Sequence, residues 1–195
     1  MSSKTHLAYV FWHARQPQVT REAYEEAHFA FHRIWQSHAP AGSRGARVLR
    51  LSGAPWLPSS PQAPEVYEDW YFLDDSAALD PINEAAVSGI RRGPHDGVAR
   101  LAAAGIAGLY RLQNGSEHAK TRRALWFSKP AGMSYPALAG QFAGCGADEA
   151  LWMRQMTLGP TPELCLQTNA GLPAGFTAQA SLTIEAVWEF PRESK

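Results

Sequence analysis

Strand-like and helix-like runs alternate along the first 113 residues in a single order, and that order limits what the chain can become. "LAYVFWH" at 7–13 is β-branched and aromatic, and the polar turn "ARQPQVT" with Pro17 closes it. Thr20 can cap a helix running from Arg21 to about Ser37, with Glu22, Glu25 and Glu26 near its start, where the helix dipole favours acids. Pro40 and Gly42 end it. "ARVLRLS" at 46–52 and "VYEDWYFL" at 66–73 are strands, joined by the proline-rich surface connection "GAPWLPSSPQAP". Asp75 or Ser76 then caps a helical stretch through Ala86 and Ile90, which Gly93 and Pro94 break, and a further turn or two runs from Asp96 to Ala103. "GIAGLYRLQ" at 105–113 is the fourth strand. The order β-α-β-β-α-β predicts an antiparallel sheet with both helices on one face.

Past the linker at 114–122, "ALWFSKP" is a strand, "SYPALAGQFAG" a short helix capped by Ser134, and "ALWMRQMTL" and "PELCLQT" two strands joined at Gly159 and Pro160. The last strand is "LTIEAVWEF". Laying "VYEDWYF" over "IEAVWEF" matches Val66 with Ile184, Trp70 with Trp188 and Phe72 with Phe190, which reads as a degenerate internal duplication. The chain is therefore expected to be α+β, with a ferredoxin-like half over 1–113 and a shorter one, lacking its second helix, over 123–195. Both halves are expected to pack as one compact unit.

A hydrophobic content of 45 % with 18 % charged residues argues against disorder. Eighteen basic residues balance eighteen acidic ones and no basic run is interleaved with aromatics, so no nucleic-acid partner is expected. The longest apolar runs are strand-sized, far short of the roughly 20 residues that cross a bilayer, and "MSSKTH" has no signal-peptide core. No membrane association is expected and the location is expected to be cytoplasmic. Cys145 and Cys165 sit in no CxxC and read as reduced, buried thiols. Seven tryptophans suit either an aromatic pocket or a large core.

The first helix carries Phe31, Trp35 and the "SHAP" of Ser37, His38, Ala39 and Pro40. This pattern resembles the first helix of the EthD family within the dimeric α+β barrel superfamily, in which two ferredoxin-like sheets, on two subunits or in tandem, pack together and leave a cavity between sheet and helices. The resemblance implies a small-molecule protein whose relatives include metal-free monooxygenases, dehydratases, cyclases and haem proteins. Tandem halves would supply the superfamily dimer within one chain, so a further homodimer is compatible but not required.

At about 100° per residue, Ala23, Ala27, Ala30, Phe31, Ile34, Trp35 and His38 share a sector, with Tyr24 and His28 at its edge and His32 between the two faces. His38 is thereby aimed at the sheet as a general acid or base; alternatively it bonds the last helix carbonyls. His28 and His32, one turn apart, could chelate a metal with a third ligand from Glu68 or Asp69, but without an HExxH pattern no metal is assigned. His13 could face the same cavity from the end of its strand. His95 beside Asp96 reads as a loop cap. In "VYEDWYFL" the alternation sets Val66, Glu68, Trp70 and Phe72 on the more apolar face, where a carboxylate is costly unless paired. Glu68 is therefore expected to work with His38, or else to pair with Arg47 or Arg50 at a sheet edge. No GxGxxG, P-loop or GxSxG occurs.

The expected function is cofactor-independent proton transfer on a small hydrophobic or aromatic molecule, with His38, Glu68 and His13 catalytic and Trp12, Tyr24, His28, Phe31, Trp35 and Trp70 binding the molecule. The alternatives are a non-catalytic module that binds a ligand or self-associates, and a haem- or metal-binding barrel.

Overall fold

The computed structural model describes residues 6–57 and 65–191; most of the proline-rich connection, residues 58–64, lies outside them. Eight strands, β1 (Leu7–Arg15), β2 (Ser43–Leu51), β3 (Val66–Leu73), β4 (Ala102–Gly115), β5 (Arg123–Phe127), β6 (Ala150–Arg154), β7 (Leu164–Gln167) and β8 (Ala180–Pro191), close into a barrel. The helices are α1 (Arg21–Ser37), α2 (Leu79–Ala86), α3 (Gly89–Ala99) and α4 (Tyr135–Gln141). Around the barrel the order is β1-β3-β2-β8-β5-β7-β6-β4, and every pairing is antiparallel.

Each half has the same order: fourth strand, first, third, second, as β4-β1-β3-β2 and as β8-β5-β7-β6. The halves join where β2 meets β8 and β4 meets β6, so closure uses the edge strands of both. Among the described residues no helix separates β7 from β8, as expected of a truncated second half. The overlay of "VYEDWYF" on "IEAVWEF" is corrected by this topology. β8 is the fourth strand of its half and corresponds to β4, whereas β3 corresponds to β7. Period-two alternation lets any two double-faced strands superimpose, so the matched residues carried no register.

Local chemistry explains most of the boundaries. The Thr20 hydroxyl accepts from the Ala23 backbone N–H at 3.2 Å and starts α1. Thr20→Ala is expected to lower stability by about 1 kcal/mol, a fall of roughly 2–4 °C in Tm by thermal melting. Gly42, at φ +79°, turns the chain after α1 where an added Cβ would lie 2.5 Å from that of Ala78. The second helical stretch breaks earlier than Gly93 and Pro94 suggest. Ser88 and Gly89 (φ +54°) divide α2 from α3, and Pro94 sits inside α3.

An eight-stranded barrel has an interior just wide enough for side chains to fill. Here Trp12, Trp70, Trp126 and Trp152, with Tyr110 and Phe72, fill it, and Trp70 and Trp152 meet at 4.9 Å between ring centroids. Outside the barrel, α1 packs against α3, and the helices lay Phe31, Trp35 and Ile82 on Leu7, Tyr71 and Leu73. Leu138 and Phe142, from α4 and its C-terminal cap, cover the second half. β1, β2 and β3 are thus largely buried on both faces, one against the aromatic interior and one against the helices, while β4 leaves alternate residues exposed.

Candidate functional site

Alternation sends His13 from β1 and Tyr67, Asp69 and Tyr71 from β3 to the helix-facing side of the sheet, where α1 meets them. The buried residues of α1 are Tyr24, His28, Phe31, His32 and Trp35, so its inner stripe runs through the two histidines and not through Ala27 and Ala30. His13, His28, His32 and Tyr71 converge on one carboxylate, while the Tyr67 hydroxyl donates to Glu25 Oε1 at 2.9 Å. Asp69 Oδ1 lies 3.2 Å from His13 Nε2, and Oδ2 lies 2.8 Å from His28 Nε2 and 3.3 Å from His32 Nε2. The Tyr71 hydroxyl donates to Oδ2 at 3.1 Å. His28 Nε2 and His32 Nε2 are 3.1 Å apart, and His13 Nδ1 is 2.5 Å from the Tyr24 hydroxyl.

Burial alone would raise the Asp69 carboxyl, but His28 and His13 override it by charge and hydrogen bonding and hold it well below the usual carboxylate range. An ionised carboxylate only accepts, so the hydrogen between Asp69 and His13 sits on Nε2. Burial pushes His13 down, toward the neutral form, against the pull of Asp69. A neutral ring with its hydrogen on Nε2 has a lone pair on Nδ1, and the Tyr24 hydroxyl donates to it. Burial, then the Asp69 charge, pushes the Tyr24 phenol up, so it stays protonated. The result is an ordered chain of donors from Tyr24 through His13 to Asp69. Burial likewise pushes His32 down.

A cavity of about 670 Å³ opens beside this chain between β1, β4, α1, α2 and α3. His13, Tyr24, His28, Asp69 and Tyr71 form a buried polar wall, Asp80, Asn83 and His95 add polar groups nearer solvent, and Tyr9, Phe11, Phe31, Trp35 and Ile82 are among its apolar residues. A few convergent polar groups in an apolar concavity of this size are what small-molecule sites present.

Of the residues singled out in the sequence, the structure brings His13, Tyr24, His28, Phe31 and Trp35 together at this cavity. It places the other four elsewhere. His38 is the C-cap of α1 and is exposed; its backbone N–H bonds the Ile34 carbonyl and its ring meets Ser37 Oγ. The regular 100° projection ends one residue too early to aim it at the sheet. Glu68, Trp12 and Trp70 point into the barrel, on the opposite side of the sheet from α1, so Glu68 and His38 cannot work together. Nor does Glu68 lie at an edge beside an arginine. Its Oε1 accepts from the Trp12 indole N–H at 2.7 Å, while Arg47 bonds Ala119 and Gln167 and Arg50 bonds Glu25 and Glu185. His95 contacts Asp96 at 3.1 Å and edges on Phe31 at the cavity margin, within α3 and not in a loop.

Asp69 is the central residue that the sequence reading left among mere alternatives. Its signal was a carboxylate at mid-strand with tyrosines two residues to either side, facing a helix that carries two histidines one turn apart. Comparison with protein-family models and with curated proteins finds no match to this chain. No helix among the described residues is long and apolar enough to cross a membrane.

Proposed function

We propose that this α+β barrel is an enzyme that moves a proton on a small hydrophobic or aromatic molecule held in the cavity between α1 and the sheet. The observation that carries the reading is the Tyr24–His13–Asp69 chain, in which each donor has one acceptor and the first member lines the cavity. A substrate C–H next to a carbonyl gives its proton to Tyr24 Oη as the Tyr24 proton passes to His13 Nδ1. The imidazolium so formed is held by Asp69, and the reverse transfer returns a proton to the product. His28 sits beside the same wall, and Tyr9, Phe11, Phe31 and Trp35 give the cavity an apolar surface next to it.

Kinship with the EthD-like branch of the α+β barrels belongs to this proposal. Its support is the strand order and a cavity between helix and sheet, to which fold alone adds no chemistry. A cytoplasmic location is part of it too, supported by the unpaired Cys145 and Cys165. A homodimer would form through helical or loop surfaces, since the barrel uses its edge strands in closing.

The test is hydrogen–deuterium exchange, followed by proton NMR in deuterated buffer, on a panel of small aryl ketones and aryl β-dicarbonyls. The protein is expected to accelerate loss of the α-proton of at least one panel member, and Tyr24→Phe to lower that rate about 100-fold or more while leaving the ring packing in place. No acceleration across the panel, or an unchanged rate in Tyr24→Phe, would sink the reading.

A further inference from the structure

Asp69 holds the proton chain through Oδ1 alone, leaving Oδ2 with the Tyr71 hydroxyl and two imidazoles that the chain does not use. Among the described residues its ionic partners are His13, His28 and His32, with no lysine or arginine. A buried carboxylate without a permanent cation is costly, and three side chains here turn donor atoms toward the same point.

We propose that His28 Nε2, His32 Nε2 and Asp69 Oδ2 form a binding site for one divalent first-row transition-metal ion. Bonds of about 2.0–2.2 Å, at angles between octahedral and tetrahedral, set neighbouring ligand atoms about 2.8–3.6 Å apart. The three separations here are 2.8, 3.1 and 3.3 Å. One turn of α1 between His28 and His32 supplies the chelating pair, and β3 supplies the carboxylate. The Nδ1 atoms of His28 and His32 are buried and have no hydrogen-bond partner among the described residues. Each ring can therefore carry its hydrogen on Nδ1 and offer Nε2 to the ion, which takes the place of the hydrogen that His28 Nε2 otherwise donates to Asp69 Oδ2. Those same Nδ1 atoms lack the outer acceptors that usually strengthen a metal-bound imidazole by about 10–100-fold, which makes an exchangeable ion the expectation.

His13 Nε2 is close enough to be a further ligand, since its donor atom lies within 4.8 Å of those of His28 and Asp69. Its Nδ1, however, receives the Tyr24 hydroxyl, which keeps the hydrogen on Nε2 and makes His13 the outer support that orients Asp69. Two imidazoles and one carboxylate, with no thiolate, suit zinc or ferrous iron and leave coordination positions open. His28 and Asp69 both line the cavity, so an ion held there could polarise a substrate carbonyl beside Tyr24. The assignment shares Asp69 with the proton chain but does not require that the chain work.

The experiment is titration of the full, chelator-stripped chain with cobalt(II), read by visible absorption and by metal analysis after gel filtration. The expected result is saturation at one cobalt per chain with visible ligand-field bands, displaced by zinc. His32→Ala and, as a variant that keeps more of the side-chain volume, His32→Gln are expected to lose the bands while retaining a cooperative thermal melt. Tyr24→Phe is expected to keep them, so failure of the proton chain and failure of the metal site read differently. The exposed His118 beside half-buried Glu117 is the natural competitor, and His118→Ala is expected to change nothing. Absence of saturable bands, or bands that survive in both His32 variants, would overturn the proposal.

Discussion

Asp69→Asn is expected to cost more than any other single change at the cavity, in rate and in stability together. The carboxylate accepts from His13, His28 and Tyr71 and lies 3.3 Å from His32 Nε2, all in a buried setting. An asparagine has one acceptor oxygen and turns an NH2 group toward donors on the other side, so about two of them lose their acceptor. At about 1–3 kcal/mol for each buried, unsatisfied group, the loss is about 3 kcal/mol, or roughly 6–12 °C in Tm for a chain of this size. The rate effect is larger. Without the carboxylate the hydrogen on His13 is no longer fixed at Nε2, the wrong tautomer meets Tyr24, and proton transfer is expected to fall about 10³–10⁴-fold. Thermal melts and the exchange assay check the two parts separately. A variant that melts lower yet exchanges at the wild-type rate would leave Asp69 a structural residue and remove the chain Tyr24–His13–Asp69 as the source of activity.

How much of this was readable beforehand depends on which physical signal each residue carries. The start of α1 was legible because Thr20 and the acids after it act locally, through a cap and a dipole that need no tertiary context. The strand order was legible for a similar reason: β-branched and aromatic runs bounded by Pro and Gly mark strands wherever they end up. The facing of those strands was not. All eight residues of β3 are buried, so hydrophobicity cannot tell the barrel interior from the helix-facing side. That ambiguity put Glu68 on the wrong side of the sheet from α1 and left Asp69 in the background. The stripe of α1 was misjudged for a related reason. Counting alanines as core favoured Ala27 and Ala30, whereas His28 and His32 are buried by pairing with Asp69, a partner 37 or more residues away that no helical projection contains.

Glu68 carries the second large effect, on pH and from the other side of the sheet. It sits among the tryptophans of the barrel, with Oε1 bonded to the Trp12 indole and Oε2 without a hydrogen-bond partner among the described residues. Burial pushes its carboxyl up from 4.5 to about 7, against the indoles of Trp70 and Trp12 and the charge of Arg47. A raised carboxyl means that the folded chain holds a proton which the unfolded chain has released, so stability falls as pH rises through this interval. The contribution is fully present below about 4.5 and is lost as pH climbs through about 7. With about 1.4 kcal/mol per pH unit over this shift, the loss by pH 8 is about 3 kcal/mol. Other carboxylates act in the opposite sense, Asp69 above all, so the total curve mixes both. The difference between wild type and Glu68→Gln isolates the term, because glutamine does not titrate. Urea unfolding at pH 5 and pH 8 is expected to show that difference moving by about 3 kcal/mol in favour of the glutamine variant at the higher pH. A difference that stays constant across the range would mean that Glu68 is ionised throughout. Arg47, held in the same interior by Ala119 and Gln167, would then be the cation that keeps it so.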